Sequence, residues 1–270
     1  MAINTGNFGR ALWPGINAWF GEEYNSYDTK YDKLFDTHTS RKRWEEDVYT
    51  SMFGLAPEKP EGTPINYDTA QQGYTSRYDH VTYGLGFIIT EEMIEDDLYD
   101  VVGEKNARAL ARSMRVTKET VGANVYNRAF NTSYLGGDGK TLLNTAHPNV
   151  AGGTWSNTLS TAADLSEASL EQACIDIMKW EDDRGLPVQI QPQSLVIPVD
   201  ETFNAERILK SNLRVGTADN DVNALNNMGK FQDVVSSVYL SDTDAWFIRT
   251  DCPDGMKYFE RKADDFSMDN

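Results

Sequence analysis

The stretch from 91 to 131 limits the possible folds most. Ile94, Leu98, Val101 and Val102 form one apolar stripe, and Leu110, Met114, Val121, Val125 and Ala129 continue it at helical spacing. Thr90 is placed to cap the start. Acidic residues crowd the first turns (Glu91, Glu92, Glu95, Asp96, Asp97, Asp100, Glu104). Arg108, Arg112, Arg115, Lys118 and Arg128 follow, an order that suits the helix macrodipole. A continuous helix over this span is about 60 Å long. A compact chain of 270 residues is only about 48 Å across. With the helix unbroken, the molecule must be flat or elongated. Gly103 and Gly122, each costing about 1 kcal/mol against Ala, mark where it would bend or split.

Residues 1–60 interleave Phe8, Leu12, Trp13, Ile16, Trp19 and Phe20 with Gly6, Gly9, Pro14, Gly15 and Gly21. The spacing fits neither a long helix nor a strand. It reads as an arm that either straps its own domain or docks on a neighbouring subunit. Trp44, Val48 and Met52 predict a short helix over 41–53, after which Pro57, Pro60, Gly62 and Pro64 break the chain. Residues 65–90 read as β but are too polar for a core. Two strands turning near Gln71-Gln72-Gly73 would make a long hairpin, marginal by itself, that must lie on its own protein or on a partner.

Residues 132–163 predict a long loop. Ser166 caps the next helix, Leu165 and Leu170 form a hydrophobic staple, Leu170, Ala173, Cys174 and Ile177 face inward, and Gly185 ends it. Leu195-Val196-Ile197 is a buried strand. Residues 201–212 are a helix with Phe203, Ala205, Ile208 and Leu209 apolar, and 213–230 a polar loop. Strands follow at 234–235, 238–240, 245–248 and 256–259, with Asp254-Gly255 as a hairpin turn. The fold class is α+β, without a βαβ repeat.

Charge narrows the function. The chain has 25 Lys+Arg against 42 Asp+Glu, a formal −17. No region is net basic, and the longest basic run, Arg41-Lys42-Arg43, is followed at once by Glu45-Glu46-Asp47. Neither a nucleic-acid footprint nor an anionic membrane surface suits this charge. The N-terminus shows no readable signal peptide, and nowhere do 18 apolar residues run together. Cys174 and Cys252 form no zinc or disulfide pattern.

The chemical motifs are fragments. Gly139-Lys140-Thr141 lacks the earlier glycine of a phosphate loop. Asp219, Asp221 and Asn223 begin like a calcium loop, which then needs Gly and Glu where Ala224 and Lys230 stand. His38, His80 and His147 belong to no catalytic spacing, and His147 reads as structural. Asp182-Asp183 and Asp264-Asp265 read as a solvated helix end and a polar tail. No catalytic residue, cofactor site or metal site is expected.

Other segments carry a family resemblance. They are Tyr83-Gly84-Leu85-Gly86-Phe87-Ile88-Ile89-Thr90-Glu91-Glu92 with Asp96-Asp97, Ala107-Arg108-Ala109-Leu110-Ala111-Arg112-Ser113, and Asn127-Arg128-Ala129-Phe130. His147-Pro148, Gly152-Gly153-Thr154, Ser156-Asn157-Thr158-Leu159 and Leu165-Ser166-Glu167-Ala168-Ser169-Leu170 continue the series. Leu195-Val196-Ile197-Pro198, Asn220-Asp221-Val222-Asn223 and Asp244-Ala245-Trp246-Phe247 end it. In this order, after an arm and a hairpin, they resemble the major capsid proteins of tailed bacteriophages, in the Mu-like branch of the Johnson or Hong Kong 97-like fold. The likeness covers roughly residues 80–260. Family members usually continue past the strand at Tyr258-Phe259 into a short closing segment.

The resemblance implies an N-terminal arm (1–60), an extended hairpin loop (61–90), a peripheral domain (91–195) with spine helix 91–131, an axial domain (196–244) and return strands (245–270). It implies self-assembly into pentamers and hexamers that enclose double-stranded DNA, held non-specifically, in a virion assembled in the host cytoplasm. Scaffold, portal and cement proteins are candidate further partners, and no membrane is involved. An acidic inner wall would keep DNA from adhering. The implied subunit contacts are Trp13, Trp19 and Phe20 in the arm, Tyr74, Arg77 and Tyr78 near the hairpin tip, and Asn220, Asp221 and Asn223 near the capsomer axis. An encapsulin-like nanocompartment shares the implied fold. A soluble hydrolase using carboxylate pairs or His147 is the alternative from another class, and it predicts a deep polar pocket.

Overall fold

The computed structural model of the chain describes residues 9–90, 92, 99–214 and 221–267. The fold is α+β. At its centre lies strand β6 (Pro192–Pro198), flanked by β7 (Asp233–Ser237), parallel to it, and β8 (Phe247–Thr250), antiparallel. Leu195, Val196 and Ile197 are fully buried, as a central strand covered on both faces requires. Leu195 and Ile197 pack into a cluster with Leu170 and Cys174 of α4 (Glu167–Met178) and Ala205 and Ile208 of α5 (Thr202–Lys210). Val196 joins a second cluster with Leu34, Phe35, Ala123 and Tyr126. The capping of α4 is as expected: Ser166 Oγ accepts from Ser169 N–H at 3.2 Å, and Ser169 Oγ accepts from Ser166 N–H at 2.9 Å. Gly185 does not end this helix; it sits in a later turn with φ +79°.

The long helix changes type at Gly103 but does not break there, the glycine itself being right-handed helical. A π turn covers Tyr99–Gly103, and α3 runs from Glu104 to Asn127, about 36 Å. Its first expected turns, 93–98, fall outside the described residues. The buried face also differs. Val101 and Val125 are exposed, and the inward positions are Ala107, Leu110, Ala111, Gly122, Ala123 and Tyr126. The cause is close approach by α2 (Tyr31–Leu34). A Cβ at Gly122 would lie 3.2 Å from Tyr31 Cβ and 3.5 Å from Phe35 Cε2, so this glycine seats α2 rather than breaking α3. Buried Glu119 completes the seat, accepting from Lys30 N–H at 2.9 Å and Tyr31 N–H at 3.1 Å.

Further expectations are corrected. Residues Gly9–Ser26 form a helix, α1, with Pro14 inside it. Ile16, Trp19, Phe20 and Tyr24 recur every three or four residues and pack against Ala107, Leu110 and Ala111 of α3, which outweighs the glycines and the proline. Residues 44–50 are strand β2 (Trp44–Thr50) rather than helix, paired antiparallel with β3 (Gln72–Asp79). The hairpin therefore turns through the whole of 51–71, not at Gly73. Finally, Asp254-Gly255 closes no hairpin. β8 joins the central sheet, while β9 (Lys257–Glu260) pairs in parallel with β1 (Asp36–Thr39). Residues 238–240 are not a strand, Phe203 points outward, and the expected polar loop holds the short helix α6 (Ala224–Met228).

Candidate functional site

The arm residues lie on their own chain. Phe20 stacks on Phe266 at 4.5 Å between ring centroids and is buried with Leu110 and Ala111. Trp19 packs with Ile16, Ala107, Phe87 and Ile89. The side chain of Trp13 falls outside what is described. Within the single chain, α1 packs across its own domain.

The hairpin is likewise held by its own chain. Tyr74 stacks on Tyr49 at 5.2 Å. Arg77 lies 4.4 Å over the ring of Trp44 and pairs with Asp79 at 3.1 Å. Tyr78 packs on Phe259 at 5.1 Å. Since the turn is 51–71, Arg77 and Tyr78 sit toward the hairpin base, not its tip. Two glycines set the strands on the loop beyond α3. A Cβ at Gly73 would lie 2.5 Å from Val150 Cγ2, and one at Gly137 would lie 2.7 Å from the Thr75 carbonyl oxygen. Lys257 ties β9 to Asp47 of β2 at 2.8 Å, and this ion pair and the one with Asp254 hold the ammonium up at about 12.

Sequence reasoning missed the clamp on the far end. Asp183 was expected to be solvated but is 7% exposed and accepts from Met52 N–H at 3.2 Å. Burial, then the charge of Asp183, pushes the neighbouring Tyr49 phenol up to about 12. Arg184 donates to Asp68 at 2.9 Å and to the Met52 carbonyl at 3.2 Å. Amides of Gly54 and Thr69, then the Arg184 charge, hold the Asp68 carboxyl below its ordinary value of 3.8. Asp264 lies in an exposed tail as expected, yet pairs with Lys118 at 3.6 Å and accepts from Tyr24. Nothing local in the sequence marks these partners.

Asn220 lies outside the described residues. Asp221 is exposed, and its carbonyl accepts from Arg214 N–H at 2.9 Å. Asn223 is 1% exposed; its side-chain oxygen accepts from Leu225 N–H and Asn226 N–H, and its amide donates to the Ile208 carbonyl. It shapes the loop from within.

His147 is held at both ring nitrogens. Nδ1 meets Asp138 Oδ2 at 2.6 Å, Nε2 meets Asn157 Oδ1 at 3.2 Å, and the ring stacks on Trp155 at 4.8 Å. Asn157 is itself fixed, accepting from Asn144 N–H and donating to the Leu142 carbonyl. The cluster ties together the long loop that carries the hairpin. Burial raises both free thiols, Cys174 and Cys252, so neither is an activated nucleophile. Among the described residues, no three His, Cys, Asp or Glu gather as a metal would need, and no helix is long and apolar enough to cross a membrane.

The chain exposes 18045 Å². A compact monomer of 30.4 kDa would expose about 12,000 Å². Large apolar side chains are exposed in two stretches without sheet partners: Phe53, Leu55, Ile65 and Tyr67 in the turn, and Val81 and Ile88 after β3. Such a surface belongs to a subunit that neighbours complete.

Solved structures agree. A chain of the bacteriophage JBD30 procapsid superposes with a TM-score of 0.60 at 16% identity, covering 86% of this chain and 99% of that one. A chain of the JBD30 capsid gives 0.60 at 14%, covering 80% and 92%. One from that capsid decorated with minor capsid protein trimers gives 0.58 at 15%, also covering 80% and 92%. At these identities the likeness is one of fold, and the fold is that of a capsid subunit. No curated protein sequence matches the chain. The phage capsid protein family matches residues 73–268, well over half of the chain, and the chain belongs to that family. It is a major capsid protein of the tailed-phage kind, a self-associating subunit of the virion shell.

Proposed function

We propose that copies of this chain close into pentamers and hexamers of an icosahedral shell around double-stranded DNA, with the Hong Kong 97-like division of the subunit. In that reading α1 belongs to the arm, the hairpin loop extends over 44–90, α3 is the spine of the peripheral domain, and 196–244 is the axial domain. Its role is structural rather than catalytic, and assembly takes place in the host cytoplasm. Scaffold, portal and cement proteins are the further partners, and the −17 charge favours an inner wall that does not hold DNA tightly.

The observation that carries this reading is the excess surface, about 6,000 Å² above a compact monomer. A standard contact buries about 800 Å² per partner, so the excess matches several neighbours rather than one. The test is light scattering with negative-stain images of the purified chain. Rings of five and six subunits or hollow particles of uniform diameter are expected. A monomer that stays monomeric with concentration, and with every candidate scaffold, would defeat the reading. Tight, salt-sensitive DNA binding by assembled shells would contradict the inner-wall assignment.

A further inference from the structure

Two exposed corners of the subunit are apolar in the middle and opposite in charge at the rim. The first is at the end of the parallel pair β6–β7. Pro198 pairs with Ser237, so Val199 and Val238 leave the sheet side by side. Thr202 Oγ1 meets Ser236 Oγ at 2.9 Å, which brings the start of α5 to the same place. Val199, Val238 and Phe203 are all exposed there, Phe203 to 75%. Asn204 donates to the Leu165 carbonyl at 3.0 Å, and Trp246 donates to the Ala163 carbonyl at 3.0 Å. These bonds set exposed Asp164 and Asp244 beside the patch, with Asp242 next to them. The Asp244 carboxyl is held above its ordinary value by its hydrogen bond with Asp242 and by the charges of Asp242 and Asp164. Arg207 and Lys210 lie further along α5, and Lys210 is paired with Glu206 at 2.7 Å. Among the described residues, Asp164, Asp242 and Asp244 make no ion pair.

The second corner is where the β1–β9 ladder ends and the hairpin begins. Ser40 N–H donates to the Glu260 carbonyl at 2.9 Å, which brings Arg41 beside Arg261. Arg43 and Arg77 lie 5.9 and 4.4 Å from the ring centroid of Trp44, which is 38% exposed, with exposed Val48 on the same strand face. Glu46 is cross-strand to Arg77, and Lys42 is matched by Glu45 at 3.0 Å. Arg41, Arg43 and Arg261 make no ion pair among the described residues. The two corners cannot meet within one chain. Glu260 pairs with Lys118 of α3, whereas Ser241, beside Asp242, donates from its amide to Asn127, about 13 Å further along the same helix.

We propose that the Phe203 corner of one copy docks on the Trp44 corner of a second copy, as a head-to-tail contact of the shell. This deepens the shell reading and rests on it. An apolar centre within a charged rim is the usual build of a protein interface, and two different patches that attract give a heterologous contact, the kind that closes rings. Opposite rims also select the register, since like charges facing each other cost several kcal/mol.

Charge reversal in the full chain tests it. Asp242→Lys with Asp244→Lys should lower the yield of capsomers and shells about tenfold or more, and Arg41→Glu with Arg43→Glu should do the same. All four changes in one chain restore complementarity and should restore assembly. All four residues are exposed, and unchanged circular dichroism and melting temperature are expected. Neutral Asp242→Asn with Asp244→Asn should give an intermediate loss, without new repulsion. Double reversals on one corner that assemble as the parent does would overturn the contact and leave the shell reading intact. So would a fourfold variant no better than either double. A parent chain that forms no shells or rings would sink the shell reading and this contact together.

Discussion

Leu195 of β6 has no exposed surface, while Leu55 in the turn 51–71 keeps 83% of its own. The two residues are chemically identical, and each is flanked by apolar or small neighbours. Leu195 finds Leu170, Cys174, Ala205 and Ile208 within its own chain. Leu55 finds nothing comparable. A leucine left so exposed forgoes about 1.5–3 kcal/mol of hydrophobic stabilisation until something covers it. The central sheet is therefore a finished domain core, and in the proposed shell the hairpin turn is half of an interface. Its strands are nevertheless fixed, by Gly73, Gly137, Lys257 and Arg184. The subunit presents its unfinished surface on a rigid mount, which limits the ordering cost of assembly.

The largest effect is expected in the body. Leu195→Ala should cost about 2–5 kcal/mol, seen as a lower urea midpoint with unchanged slope, because the site cannot collapse around the cavity. A loss under about 1 kcal/mol would mean that the core is less complete than described. Gly137→Val places side-chain atoms where Thr75 and Ser76 stand, and should cost about 1–3 kcal/mol. Amide exchange should speed up in β2 and β3 and stay unchanged in β6. Equal change in both would erase the distinction between body and mount.

His147→Ala should cost about 1–3 kcal/mol, since Asp138 and Asn157 would lose their buried partner. The expected signature is looser exchange through 138–157, with no change at Leu55. Leu55→Ser should move the melting free energy by no more than about 0.5 kcal/mol yet lower the shell yield. Shells at the parent's yield would show that the turn is not an interface.

The smallest effect is a pH response of the hairpin clamp. Asp68 has its carboxyl depressed in the folded chain. Its contribution is complete above the unfolded value of 3.8 and disappears as the pH falls through the lower folded value. The Gly54 and Thr69 amides, corrected for intrinsic exchange rate, should therefore lose protection in acid before β6 does. Loss in the reverse order would break the comparison.

Much of the body was legible because its signals are local. The Ser166 cap, the Leu170–Ile177 stripe and the apolar run at 195–197 each depend on neighbours within a turn or a strand. The hairpin was not. Trp44, Val48 and Met52 share a spacing with a helix, but β2 pairs with β3 through Trp44–Asp79 and Val48–Thr75. Strand preference depends on such cross-strand partners, and these lie a whole loop away. The same reason explains Asp254-Gly255, where the turn is local but the partners of β8 and β9 are remote.

The assembly residues divide along the same line. That Phe20 and Trp19 needed something to cover them was evident from their size in a segment full of glycine. That the cover is Phe266 and α3 of the same chain was set by tertiary packing. Asn223 could be named, but not its burial, because its partners at Ile208 and Leu225 come together only when α5 and α6 meet. The sequence by itself determined the elements of the central body, the acidic balance and the family order of segments, since each is a property of composition or of near neighbours. Only the tertiary structure decided which apolar residues are spent inside the subunit and which remain for its neighbours. Burial is a sum over distant contacts, and no window along the chain contains them.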